Sequence, residues 1–129
     1  MVTYVVVATV VAFLTGWAWY QVLFPRVAAD LAGSEEQAKR MRGRNMAMML
    51  VALVILAFAT GTFIKNRGVL DMADAVKLAI KIWFGFFLPI TLVSWAYTKA
   101  SLTTLVATAG YWLVAALEFA ILAAWLLLR

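Results

Sequence analysis

The sequence predicts an all-α protein that crosses a membrane four times. Three observations carry that reading. The 129 residues are 67% hydrophobic and 13% charged, whereas a soluble domain is about half apolar and a quarter charged. Four apolar runs are long enough to cross a hydrocarbon core of about 30 Å, which takes about 20 helical residues. The charges fall almost entirely between those runs, with proline, glycine or cations at their ends. The chain therefore reads as a single transmembrane domain over 1–129, with spans at about 4–24, 46–64, 79–97 and 102–128.

The first span, Tyr4 to Phe24, carries no charge. It lacks the basic leading stretch of a signal peptide and its apolar run is too long for one, so it is expected to be retained. Pro25 ends it, because proline cannot continue the helical hydrogen bonding. Its last turns, "TGWAWYQVLFP", collect Trp17, Trp19, Tyr20 and Gln21. Tryptophan and tyrosine suit the headgroup level, where the ring stays in apolar surroundings and the N–H or O–H finds a polar partner. Tyr20, however, shares a face with Gly16, Phe13 and Thr9, and Ala12 with Gly16 makes a pair of small residues suited to close helix contact. Part of the belt is thus expected to face protein.

Pro25 to Asn45 is the longest polar connection. Gly33 breaks it. "SEEQ" at Ser34 to Gln37 has capping-box spacing, and Glu35 and Glu36 precede Lys39 and Arg40 by four residues, which predicts a short interfacial or projecting helix. That helix leads towards the second span, at whose start Met46, Met48 and Met49 read as adaptable packing rather than as copper or haem ligands. "KNRG" at Lys65 to Gly68 closes the second span with cations and a glycine.

"VLDMADAVKLAIKIW" mixes charges with apolar residues. Lys77 and Lys81 lie one turn apart, so the stretch reads as an interfacial approach to the third span, with both lysines snorkelling to the headgroups. Pro89 lies inside that span and predicts a kink. Gly85, one turn earlier, is expected to give a neighbour room to approach. "TKAS" at Thr98 to Ser101 is too short to recross a bilayer, so spans three and four form a hairpin and both termini lie on one side.

The cations divide almost evenly. Arg26, Lys39, Arg40, Arg42, Arg44 and Lys99 fall on one side; Lys65, Arg67, Lys77, Lys81 and Arg129 fall on the other. Setting aside Lys77, Lys81 and Arg129 as snorkelling residues makes the first side cytoplasmic and puts the termini outside. The near balance also permits insertion in both orientations and an antiparallel dimer. The net charge of +5 reflects cations at membrane surfaces, and no nucleic-acid partner is expected. With no cysteine and no histidine, disulfides, thiolate nucleophiles, the usual zinc sites and imidazole-bound haem are excluded. No cofactor or metal is expected.

"GWAWYQVLFP", "WFGFFLPITL" at Trp83 to Leu92 and "TAGYWLVAALEFAILAAW" at Thr108 to Trp125 together resemble a bacterial family of small four-helix membrane proteins, domain of unknown function 1761. Gly16, Trp19, Tyr20, Leu23, Phe24, Gly85, Phe86, Pro89, Ala109, Gly110, Tyr111, Leu113 and Val114 match its pattern in order. The resemblance implies four helices and brings no established activity. Where the family often has aspartate before Ala-Gly-Tyr and histidine after it, this chain has Thr108 and Trp112, so no role of those polar positions carries over.

Glu118 lies near the middle of the last span. An ionised, unpaired carboxylate there costs about 2.5 to 3.5 kcal/mol or more, so the side chain should face protein or water, or carry its proton. At about 100° per residue, Tyr111, Thr108 and Thr104 fall within about 80° of it around the helix. With Tyr20 they form the candidate intramembrane polar site. Glu118 could exchange a proton or cation in a transporter, or it could lock the bundle through a hydrogen bond to Tyr20, Tyr111 or a threonine hydroxyl on another helix. The static lock is the reading adopted. There is no pair of intramembrane carboxylates, no nucleophile–base set and no phosphate loop, so no enzyme is expected. A lone-glutamate enzyme acting on a lipid or quinone is the weakest alternative. The expected protein is a non-catalytic bundle in a bacterial cytoplasmic (inner) membrane, an oligomer or an accessory subunit of a larger membrane complex. Its packing faces run through Ala12 with Gly16, Ala57 with Gly61, Gly85 and Gly110.

Overall fold

The computed structural model describes the chain except Met41, Arg67, Gly68, Leu70, Lys99 and Arg129, and describes the backbone but not the side chains of residues 28, 29, 31, 32, 35 and 38. The Gly68 stop, the Lys99 turn, the terminal Arg129, the ion pair expected of Glu35 and the passage through Met41 lie outside the described residues. All regular structure among the described residues is helical: α1 (Val2–Leu23), α2 (Pro25–Ala32), α3 (Glu35–Arg40), α4 (Arg42–Asn66), α5 (Met72–Ala96) and α6 (Leu102–Leu127). Helices α1, α4, α5 and α6 are each long and apolar enough to cross a membrane.

Each boundary has a local cause. Pro25 occupies the first turn of α2, where its missing N–H costs nothing. Gly33 ends α2 in the left-handed region at φ 95°, a conformation that glycine adopts without penalty. Ser34 Oγ accepts from the Gln37 N–H at 3.1 Å and starts α3. Arg40 reaches Glu36 at 3.5 Å, but both side chains are exposed, so the pair contributes little. Asp71 Oδ1 accepts from the Asp74 N–H at 2.9 Å, so α5 is a capped helix from Met72 onward and the expected interfacial approach is its first two turns. Ser101 caps α6 in the same way through the Thr104 N–H.

The two proline-containing segments share a further feature. In each, a π turn precedes the proline, over Trp19–Leu23 and Trp83–Phe87. The residue just before the proline donates its N–H five residues back to a tryptophan carbonyl: Phe24 to Trp19, at 2.8 Å, and Leu88 to Trp83. The irregularity expected at Pro89 therefore takes the form of a widened turn.

Helices α1, α4 and α6 pack on one another, and α5 lies mainly against α6. Small residues permit the close approach that lipid-embedded helices depend on. On α6, Ala115, Ala116, Ala120 and Ala123 are buried; on α1, Ala8, Ala12 and Gly16; on α4, Ala57 and Gly61. The large apolar members of the core are Tyr4, Leu53, Ile64, Tyr111 and Phe119. Valine, isoleucine and phenylalanine side chains such as Val54, Ile55 and Phe58 point outward, as suits a surface whose solvent is hydrocarbon.

Two glycines on paired helices are required by their neighbours. A Cβ at Gly61 would lie 2.5 Å from Tyr4 Cε2, and one at Gly16 would lie 2.0 Å from Met49 Cε and 2.9 Å from the Tyr111 hydroxyl. Gly85 differs from expectation. It is exposed, with nothing among the described residues within 4 Å of where its Cβ would be, so no described residue uses the room it offers.

Candidate functional site

Glu118 lies on the α1-facing side of α6, where its Oε1 meets Thr15 Oγ1 at 2.7 Å. Thr15 Oγ1 is also 2.9 Å from the Val11 carbonyl one turn back. A threonine hydroxyl has one hydrogen and two lone pairs, so it cannot donate fully to both oxygens. Both contacts are satisfied when Thr15 donates to Val11 and a neutral Glu118 carboxyl donates to Thr15. Neutrality also avoids the cost of an ionised acid at this depth. The other oxygen, Oε2, is enclosed and makes no hydrogen bond.

The polar residues expected beside Glu118 separate into different roles. Tyr111 is buried and donates to the Ala12 carbonyl at 3.0 Å, so it links α6 to α1 but not to Glu118 by a hydrogen bond. Its ring meets Tyr20 edge-on at a centroid distance of 5.6 Å and Trp112 at 5.1 Å. The Tyr20 hydroxyl lies beside Thr108 from the α1 side without forming a well-shaped hydrogen bond, and Thr108 Oγ1 is enclosed without a partner.

Thr104 is a correction. It shares the α6 stripe, yet its hydroxyl donates to Asp30 Oδ2 at 2.5 Å. The same oxygen accepts from the Ser101 N–H at 2.9 Å and the Ser101 hydroxyl at 3.2 Å. Thr104 therefore belongs to a second cluster at the N-terminus of α6, where α2 folds back over the end of the bundle. The Thr104 hydroxyl and then the Ser101 N–H hold the Asp30 carboxyl below its ordinary range, since hydrogen bonds to the charged form favour it.

The tryptophans of the belt take different positions. Trp17 is exposed at the surface. Trp19 turns inward, donates its indole N–H to the Ala107 carbonyl at 3.0 Å, and lays its ring 3.4 Å from where a Gly110 Cβ would be. Trp83 does the equivalent from α5, donating to the Ala109 carbonyl at 2.8 Å. Pro89 is exposed.

The sequence reading missed Thr15 and Asp30. Thr15 is an isolated hydroxyl in an apolar helix, and its distance from Glu118 follows only from the packing of α1 on α6. Asp30 had a visible counterpart in the Ser101–Thr104 helix start, but nothing local identifies which acid folds back onto it. Among curated proteins and solved structures nothing matches the chain. A family model matches residues 3–125, and the chain belongs to the family described as Protein of unknown function (DUF1761).

Proposed function

We propose that the protein is a non-catalytic helical bundle that acts by association, as an oligomer or an accessory subunit of a complex in a bacterial cytoplasmic membrane, with its termini outside. The observation that carries this reading is the position of α5. Only 11% of its apolar window is buried inside the chain, against 28% for α1, 28% for α4 and 39% for α6. Its outer surface presents Phe84, Phe86 and Ile90 around the open Gly85, a surface able to take a further helix closely. The Glu118–Thr15 contact supports a packing role for the one acid in α6, because its hydrogen-bond partner is an internal hydroxyl.

The absence of native cysteine allows a direct test. A benzophenone attached at Phe86→Cys on α5, and in a separate protein at Ile55→Cys on α4, is photolysed in native membranes. A discrete protein adduct from position 86, with lipid adducts only from position 55, is the expected result. Lipid adducts only at both positions would refute association through α5.

A second reading, a proton- or cation-coupled carrier, draws on the enclosed and unpartnered Oε2 of Glu118. It requires pH-dependent flux in liposomes that Glu118→Gln abolishes. Flux at the protein-free background in the wild type removes it.

A further inference from the structure

Every fourth residue of α5 from Lys77 onward is exposed: Lys77, Lys81, Gly85, Pro89 and Val93, with Tyr97 at the helix end 89% exposed. An ordinary helix turns about 400° in four residues, so such a row drifts round it. The π turn over Trp83–Phe87 turns less per residue and draws the row back. The result is a ridge on the outer side of α5, away from the Phe87 ring that packs on Trp112 of α6. Neither lysine forms an ion pair among the described residues.

The ridge is centred on the membrane. Lys77 and Tyr97 are twenty residues apart, which spans about 30 Å, the thickness of the hydrocarbon core. Both residue types suit the headgroup level. The midplane therefore falls at Phe87, between Gly85 and Pro89.

The same ridge is complementary to itself when reversed. A second α5 related by a two-fold axis in the midplane runs the opposite way, and each residue meets one equally far from Phe87 on the other side. The Gly85 notch receives the partner's Pro89 ring, and Pro89 enters the partner's notch. Lys81 lies against the partner's Val93. Lys77 meets the partner's Tyr97, whose ring attracts a cation and which stands at the end of α5, where the last carbonyls carry partial negative charge. A parallel second copy would instead set each lysine against its own counterpart, a like-charge contact that interfaces avoid, and proline against proline. Notch and ring, cation and acceptor are all present on one surface, as an interface between identical subunits requires.

The sequence permits the inverted copy. Loop cations set the orientation of a membrane protein, and here six lie on one side and five on the other.

We infer that α5 binds a second copy of this chain inserted in the opposite orientation. The inference rests on association through α5 and names the partner: one copy has its termini outside, and the other is inverted.

The test uses two differently tagged full-length chains, Lys77→Cys and Tyr97→Cys, each with no other cysteine, co-expressed and treated in native membranes with a short bis-maleimide. A mixed-tag dimer joining positions 77 and 97 is expected, without dimers joining 77 to 77 or 97 to 97. Gly85→Leu in both chains should abolish it and leave the far-ultraviolet circular dichroism of the monomer unchanged, because the position is open within the chain. A membrane-impermeant maleimide should label Gln37→Cys, an exposed position, both in intact cells and in inverted vesicles. Dimers joining like positions, no mixed-tag dimer, or labelling from one face alone would overturn the inference. Photolysis from Phe86→Cys separates this failure from that of association itself. An adduct with a different protein would retain association through α5 and overturn the second copy, whereas lipid adducts alone would refute both. If Gly85→Leu does not fold, the crosslink pattern and the labelling still decide.

Discussion

Replacing Gly61 with alanine is expected to weaken the α1–α4 contact by an amount that the structure allows to be isolated. The new Cβ would stand 2.5 Å from Tyr4 Cε2 and 3.1 Å from Cδ2. Carbon atoms rest at about 3.5 to 4.0 Å, so the ring would have to retreat by about 1 Å. Tyr4 is 0% exposed, and a phenol ring cannot fold aside as a methionine tail can. Such overpacking costs about 1 to 3 kcal/mol. Alanine in place of a helical glycine regains about 1 kcal/mol of propensity, which would mask part of the loss. Gly85→Ala supplies the reference. It gains a similar propensity and, in the micelle-dispersed monomer, meets nothing within 4 Å. The difference between the two variants is therefore the clash itself, about 1 to 3 kcal/mol. Reversible unfolding by dodecyl sulfate in mixed micelles, followed by circular dichroism, measures it. A Gly61→Ala protein as stable as Gly85→Ala would refute the packing argument.

Thr15→Val removes the partner of Glu118 and is expected to cost about 0.6 to 1.7 kcal/mol in the same assay. Much of that loss should disappear when Glu118 is already Leu, because the two side chains share one interaction. Infrared difference spectra of wild type minus Glu118→Gln should show a protonated carboxyl stretch at neutral pH; a carboxylate band in its place would contradict the hydrogen count at Thr15. Asp30 supplies a pH dependence. Its carboxyl is held low in the fold by Thr104 and Ser101, so its contribution is present above the ordinary carboxyl value and lost as pH falls from about 4 through the depressed folded value. Hydrogen exchange along α2 should quicken over that interval, and Asp30→Asn should exchange quickly at every pH; an unchanged profile in the wild type would show that the clasp is not held by charge.

The four long helices were legible because lipid makes one demand on a spanning segment, that about 20 consecutive residues be apolar. The demand leaves a mark at every position, so the absence of charge from Tyr4 to Phe24 suffices. Pairings between helices leave less trace. Gly16 and Gly61 were recognisable as small residues opposite something larger, and each proved to be required by a side chain on another helix. Gly85 has the same local signal and serves no contact inside the chain, because a glycine states that space is available without stating what occupies it. The polar stripe on α6 shows the same limit. Angular position placed Thr104, Thr108, Tyr111 and Glu118 on one side, but α1, α2 and α5 each meet a different part of that side. Stripe membership therefore did not imply a common site.

The paired Trp19 and Trp83 suggest why this fold carries proline twice. A proline donates no N–H and presses on the carbonyl four residues back. Here the residue before each proline donates five residues back to the tryptophan carbonyl, which widens the turn; at Pro89, inside α5, this relieves that pressure, and at Pro25 it closes the end of α1 before the backbone leaves the helix at Phe24. The same tryptophans send their indole N–H groups to Ala107 and Ala109 of α6. A helix carbonyl has a second lone pair free for such a donor. Backbone irregularity and interhelical hydrogen bond thus arise from one residue in each segment, on opposite flanks of the helix that contacts the other three long helices. Trp83→Phe would keep the widened turn and lose only the bond. Trp19→Phe would do the same on the other flank, keeping with its smaller ring most of the contact with Phe24, Tyr111 and Gly110. Each substitution is expected to cost about 0.6 to 1.7 kcal/mol, and because the two bonds share no atoms the double variant should lose the sum. A double variant that loses markedly more or less than the two single losses together would mean that α1 and α5 are coupled through α6, and that the two flanks are not held independently.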